Sequence, residues 1–104
     1  MADNGTFGKS KIEEKQRART KPPPLFHVVM HNDDYTTMQF VVEVLQKVFS
    51  KPLAEANRIM FTIHTRGRGL CGTYPFEVAE TKVAKVHSLA KEEGFPLRCS
   101  LKEA

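Results

Sequence analysis

The sequence predicts an α+β fold, in which a three-stranded, mainly antiparallel sheet is covered on one face by three helices in the order βααβαβ. Apolar residues alternate in three short segments, and this two-residue period is typical of half-buried strands. In three longer segments they recur three and four residues apart, as on one face of a helix. With 104 residues the chain has room for one domain with a modest core.

The first strand is predicted at residues 25–31, where Phe26, Val28 and Met30 occupy every second position. The run Asn32-Asp33-Asp34 follows it. Asn and Asp side chains bond readily to nearby backbone groups in turns, so this composition ends the strand.

Two consecutive helices are predicted next. The first starts at Thr37, with Thr36 and Gln39 as a capping box. Its apolar positions are Met38, Val41, Val42, Leu45, Val48 and Phe49. Pro52 then stands in the first turn of a second helix, and Gly67 stops that helix. The apolar positions of the second helix are Leu53, Ala56, Ile59, Met60 and Ile63.

The second half of the chain predicts a strand, a helix and a last strand. The strand runs from Gly69 to Tyr74, and Pro75-Phe76-Glu77 opens the third helix, which ends at Gly94. The face of this helix is formed by Val78, Lys82, Val83, Val86, Leu89 and Ala90. The alternating residues Leu97, Cys99 and Leu101 complete the sheet.

Residues 1–24 are predicted to form a flexible basic arm, and residues 25–104 the folded domain. The arm has few large apolar residues and ends in Lys21-Pro22-Pro23-Pro24, so it cannot bury enough surface to offset the entropy of ordering. It carries six basic and three acidic residues, whereas the domain carries ten and nine. A domain so nearly balanced in charge is a poor match for phosphates, and no nucleic-acid partner is expected.

The composition also predicts a compartment. No run approaches the roughly 18 apolar residues of a membrane span, and the first residues lack the features of a secretory signal. Cys71 and Cys99 both lie in apolar patterns, where a thiol usually behaves as a small hydrophobe. We therefore expect a cytoplasmic protein with no membrane partner and no disulfide.

The segment Asn32-Asp33-Asp34 has two interpretations. It can be a turn followed by a helix cap, which is the more common use of such residues. Alternatively, its oxygens can hold an amine while Met38 and Val41 offer an apolar slot to the amine's side chain. His64 lies on the apolar face of the second helix, where a lone histidine is more often structural than functional.

Enzyme and metal interpretations find little support. A metal site from Asp33, Asp34, His64 and Cys71 would lack the closely spaced Cys or His pair of zinc sites. A nucleophilic cysteine activated by His64 would need an electropositive loop, whereas both cysteines lie in apolar strands. The sequence therefore predicts a protein without catalytic residues, metal or cofactor.

Several segments together resemble one family, the ClpS adaptors. The resemblance covers Lys21 to the C-terminus and is carried by Lys21-Pro22-Pro23, Asn32-Asp33-Asp34-Tyr35-Thr36, Val44-Leu45-Gln46, Cys71-Gly72, Glu77-Val78-Ala79-Glu80-Thr81-Lys82-Val83 and Pro96-Leu97. ClpS adaptors deliver N-degron substrates, which bear a destabilising first residue, to the ClpA unfoldase of the ClpAP protease. One departure is Thr37, which stands where many members have proline.

The resemblance implies a role for individual residues. Asn32, Asp33 and His64, supported by Asp34, would hold the α-ammonium group of the substrate. The pocket for its first side chain would comprise Thr36, Met38, Val41, Met60, Ile63 and Leu97. Met38 would act as a gate that rejects β-branched residues. Glu77 and Lys82 would contact the amino-terminal domain of ClpA.

The expected function is therefore that of a non-enzymatic adaptor, whose partners are ClpA and substrates beginning with Leu, Phe, Tyr or Trp. The alternative is a translation-associated interaction domain, because the order of elements also resembles the C-terminal domain of the ribosomal stalk protein. That alternative rests on fold analogy and predicts no binding of free amino termini.

Overall fold

The computed structural model describes residues 21–104. Its elements follow the predicted order βααβαβ: β1 Leu25–His31, α1 Met38–Lys47, α2 Leu53–Arg66, β2 Arg68–Pro75, α3 Phe76–Glu93 and β3 Arg98–Glu103. Residues 1–20 of the predicted arm lie outside the described residues. Its last four residues, 21–24, are exposed and have no regular secondary structure. Within the described part of the chain, no helix is both long enough and apolar enough to span a bilayer.

The sheet has the strand order β2-β1-β3, and both pairs are antiparallel, which confirms the predicted fold class. Met30 in the central strand lies between Gly69 and Cys99. The register between β1 and β2 shifts after Val28, so that Cys71 is the extra residue of a bulge.

The core lies on one face of this sheet. Val28, Met30, Cys71 and Cys99 point from the strands into it, and each is at most 4% exposed. The helices contribute Phe40, Val41, Val44, Leu45, Ala56, Ile59, Ile63, Ala79, Val86 and Ala90. Val48 and Phe49 are also buried, although they lie just beyond the end of α1. Among residues 21–104 no helix covers the opposite face of the sheet, and the alternate residues of β1 on that side are accordingly only partly buried or exposed.

The predicted capping box at Thr36 and Gln39 is wrong by one residue. Thr37 is the N-cap of α1, and its side-chain oxygen accepts a hydrogen bond from the backbone N–H of Phe40 at 3.1 Å. Thr36 is instead bonded to Asp33. Pro52 likewise precedes the first residue of α2 rather than lying in its first turn.

Gly67 brings the end of α2 next to the end of β1. Its φ of 90° is left-handed, a conformation that glycine adopts without strain, and its N–H donates to the carbonyl of Ile63 at 2.9 Å. The Gly67 carbonyl in turn accepts from the N–H of Asn32 at 2.9 Å. The last turn of α2, which contains His64, is therefore held beside the loop that follows β1.

Candidate functional site

A cavity of about 240 Å³ lies where the loop after β1 meets the start of α1 and the end of α2. It is lined by Asn32, Asp33, Asp34, Thr36, Met38, Val41, Met60, Ile63 and His64. All nine are among the ten residues expected there from the sequence and the family resemblance. The tenth, Leu97, does not line the cavity: it is 4% exposed and belongs to the core. The size suits one side chain rather than a larger ligand, since pockets for drug-sized molecules begin near 300 Å³.

Asp33 fixes the shape of the polar side of the cavity. One carboxylate oxygen accepts from the N–H groups of Tyr35 and Thr36, at 2.8 and 2.7 Å. The other accepts from the Thr36 hydroxyl at 2.7 Å. A carboxylate offers about four lone-pair sites, so these three bonds leave one acceptor site free. Asp33 can thus organise its own loop and still bind an external donor.

The charge of Asp33 is stabilised by the same bonds. Burial raises the pKa of a carboxyl group, but the hydrogen bonds from the Thr36 backbone, the Thr36 hydroxyl and the Tyr35 backbone outweigh it, so the pKa of Asp33 is below its ordinary value. Asp33 is therefore negatively charged at neutral pH. A cationic ligand would meet a full charge at this end of the cavity.

Four apolar side chains form the other end. Val41 comes from α1 and Ile63 from α2, and both are almost fully buried, at 6% and 2% exposure. Met38 is 46% exposed and Met60 is partly exposed, one on each helix. The unbranched thioether side chains can adapt their shape, whereas the buried branched residues cannot. The cavity thus combines a fixed floor with adjustable walls.

Asn32 and His64 complete the polar side. Both side chains are exposed at the mouth of the cavity. Gly67 ties the backbone of Asn32 to that of Ile63, the residue before His64. An amide oxygen, a carboxylate and an imidazole nitrogen can all accept hydrogen bonds, so three residues with acceptor groups line the same cavity as the apolar side chains.

Glu77 and Lys82 lie together on α3, away from this cavity. With Val78 and Thr81 they line a shallow groove of about 290 Å³. The Nζ atom of Lys82 donates to the carbonyl of Val48 at 2.8 Å and lies 5.1 Å from the centre of the Tyr74 ring. Lys82 thus satisfies a backbone acceptor just beyond the end of α1. The local sequence around Lys82 does not predict this contact, because the two partners are 34 residues apart.

The cavity at Asp33 is not the largest in the molecule. A more open groove of about 500 Å³ lies between α2 and β2 and includes Lys51, Glu55, Arg58 and Thr62. Its charged groups partly neutralise each other, since Arg58 is paired with Glu55. Residues 21–104 bring no three His, Cys, Asp or Glu side chains together as metal ligands. We therefore take the smaller cavity, which combines acceptor groups with apolar side chains, as the candidate site.

Comparison with known proteins identifies the class. Residues 21–100 match the family described as ATP-dependent Clp protease adaptor protein ClpS. Proteins of this class are adaptors that regulate proteolysis, working with a Clp protease and its substrates rather than catalysing a reaction themselves.

The chain belongs to the ClpS family. It is 58% identical over 83 residues to the ClpS adapter of Desulfatibacillum aliphaticivorans, an alignment that covers 80% of each chain. It is 52% identical over 103 residues to that of Nitratidesulfovibrio vulgaris, covering 99% of each. Among solved structures, Agrobacterium tumefaciens ClpS2 bound to L-phenylalaninamide matches with a TM-score of 0.77 and 36% identity, covering 80% of this chain and 100% of that one.

Proposed function

We propose that the cavity binds the free amino terminus and the bulky first side chain of a substrate protein. The observation that supports this most strongly is the juxtaposition of three acceptors, on Asn32, Asp33 and His64, with an apolar cavity of about 240 Å³. In an amino-terminal residue the ammonium group and the side chain are attached to the same carbon, so the binding site needs acceptors and an apolar cavity side by side. Leu, Phe, Tyr and Trp are the first residues we expect it to bind.

The interactions are strong enough for a specific but reversible complex. An α-ammonium group has three N–H donors, which matches the three acceptors. Hydrogen bonds that involve a charged group contribute about 1.5 to 3 kcal/mol each, and burial of a Leu or Phe side chain about as much. Part of this free energy is lost to the cost of association, so we expect a reversible complex with a dissociation constant that is micromolar or weaker.

The Agrobacterium neighbour supports the same ligand class. The molecule bound to that ClpS2 is L-phenylalaninamide. It carries a free amino group and a phenyl side chain, and its carboxyl group is blocked as an amide. This is the chemistry of the first residue of a polypeptide.

We further propose that the groove at Glu77 and Lys82 docks the adaptor on the amino-terminal domain of the ClpA unfoldase. Glu77 is exposed in the first turn of α3, and Lys82 is fixed by its bond to Val48. Charges on a rigid helix set the orientation of a partner at little cost to the fold. Because this groove and the cavity are separate, substrate and unfoldase can be bound together.

The proposed function is tested by fluorescence anisotropy with two labelled peptides that differ only in their first residue, Phe or Asp. We expect micromolar binding of the Phe peptide and none of the Asp peptide, because an apolar floor cannot solvate a carboxylate. Equal binding of the two peptides, or of neither, would show that the cavity does not select a first residue.

The docking role predicts a loss of ClpA binding on charge reversal. Glu77→Lys should weaken binding to the isolated amino-terminal domain of ClpA by about tenfold or more, since it puts two like charges in the groove. Affinity for the Phe peptide should stay within about twofold. Binding is measured by surface plasmon resonance. The matched control is Glu92→Lys, which makes the same charge reversal at the far end of α3. An equal loss in both variants would point to overall charge instead.

A dependence on pH is predicted from His64. An imidazole accepts a hydrogen bond only in its neutral form, so any protonation of His64 on acidification should weaken binding of the Phe peptide. Asp33 cannot cause this change. Its lowered pKa means that its charge, and its contribution to folding stability, are lost only below its ordinary range near pH 4.

Isothermal titration calorimetry at a series of decreasing pH values, repeated with His64→Gln, measures the effect. Glutamine keeps an acceptor oxygen but does not titrate, so its binding should be flat with pH. The amino group of the peptide is largely protonated throughout and adds little slope. A wild-type profile as flat as that of His64→Gln would remove His64 from the set of acceptors.

A further inference from the structure

The face of the sheet that carries no helix has a defined set of side chains. In an antiparallel pair, directly opposite residues point to the same face, so the register gives three rows of three. We call these nine residues the open sheet face: Arg68, His31 and Arg98, then Leu70, Val29 and Ser100, then Thr73, His27 and Lys102. Two hydrogen bonds between neighbours confirm the arrangement, His31 with Ser100 at 2.6 Å and His27 with Thr73 at 2.8 Å.

This face is positively charged and carries no carboxylate. Its three permanent cations, Arg68, Arg98 and Lys102, are all exposed. Arg68 and Arg98 flank His31: burial lowers the pKa of this histidine, and the positive charges of Arg98 and Arg68 lower it further. The two guanidinium groups are thus close enough to repel a proton from the imidazole, and no acidic residue of the face compensates them.

The middle of the face is apolar. Leu70 is 50% exposed and lies opposite Val29, which is partly exposed. The row on one side contains Arg68 and Arg98, and the row on the other side contains Lys102. A flat surface with an apolar centre and a charged rim is the usual anatomy of a protein interface. The positive charges around that centre favour a negatively charged partner.

We propose that the open sheet face is a docking surface for an acidic segment of a protein. The first 20 residues of this chain are not the complement, since they carry five basic and three acidic side chains. A second copy of the face would be repelled by like charge. Single-stranded nucleic acid fits less well, because the nine residues include no Phe, Tyr or Trp, and the two histidines, which could also stack on bases, are held by hydrogen bonds to Thr73 and Ser100. The helices occupy the other side of the sheet, so the segment would leave the Glu77 groove uncovered.

The test uses a fluorescein-labelled oligoglutamate of about ten residues at low ionic strength. Arg68→Glu combined with Arg98→Glu should weaken its binding by about tenfold or more, whereas Lys85→Glu combined with Lys91→Glu should change it by less than about twofold. The control has the same net charge and replaces exposed residues of α3. Affinity of each variant for a Phe-initiated peptide reports whether the fold is intact.

Two further measurements keep the result decisive. Arg68→Gln with Arg98→Gln removes the charges without adding new ones and should weaken binding in the same direction. In the wild-type protein, oligoglutamate should shift the amide NMR signals of β1 and β3 more than those of α3. The proposal is overturned if oligoglutamate does not bind, if both double charge reversals weaken it equally, or if oligouridine binds more tightly at the same residues.

Discussion

Acetylation of the amino terminus of a Leu- or Phe-initiated peptide is expected to weaken its binding at least about 100-fold. This factor corresponds to about 2.7 kcal/mol. Acetylation removes the positive charge and leaves one donor of three. At 1.5 to 3 kcal/mol for each charge-assisted bond, the loss of two bonds is sufficient. The Asp33 carboxylate would also be left partly desolvated with no cation beside it.

The measurement is competition of unlabelled free and acetylated peptides against a labelled Phe peptide. An acetylated peptide that competes within a few-fold of the free one would show that the apolar side chain dominates binding. A peptide amidated at its carboxyl terminus serves as the control, because that change lies far from the cavity. We expect no effect from it.

Asp33 is the residue on which this discrimination depends most. Asp33→Asn retains an oxygen for the N–H groups of Tyr35 and Thr36 but removes the charge, so the loop should persist. We expect it to weaken binding of the free peptide by about tenfold and of the acetylated peptide hardly at all. Glu80→Gln is the matched control, since it removes one carboxylate charge from an exposed position on α3 that does not line the cavity. Equal losses in both variants would indicate a diffuse field rather than a contact with Asp33.

The order of elements could be predicted because each periodic segment contributes to the same core. Val28 and Met30 alternate in β1, and Val41, Val44 and Leu45 form the buried stripe of α1. The start of α1 was predicted one residue too early. Gln39, three residues after Thr36, matches the capping-box pattern, whereas Phe40, three residues after Thr37, does not, so the local sequence favours the wrong threonine. The choice is made by Asp33, which engages Thr36 and leaves Thr37 to cap the helix.

The nine residues of the cavity could be named from the sequence because the resemblance to a family assigns each of them to the site. They lie in the loop after β1, at the start of α1 and near the end of α2. Contacts between distant segments were not predictable. Leu97 packs into the core rather than lining the cavity, and Lys82 bonds to the end of α1. Both outcomes depend on how α3 and β3 settle against the other elements, which no local pattern encodes.

Met38→Ala is expected to admit first residues that the wild-type protein rejects. Peptides beginning with Val or Ile should bind about tenfold more tightly to the variant, while Leu and Phe peptides lose a few-fold of their affinity. A β-branched residue places an extra carbon next to the backbone, near the mouth of the cavity. Met38, at the start of α1, is 46% exposed, so its bulk can be removed with little cost to the core.

Met60→Ala tests whether Met38 acts as a gate or whether any increase in the volume of the cavity admits β-branched first residues. Met60 faces the same cavity from α2, and both methionines also line a neighbouring groove of about 350 Å³ between the two helices. Each variant therefore truncates one methionine side chain, Met38→Ala on the wall formed by α1 and Met60→Ala on the wall formed by α2. If only Met38→Ala admits Val and Ile, the wall formed by α1 controls selection. If Met60→Ala admits them equally, volume alone decides, and if Met60→Ala alone does so, the gate lies on α2.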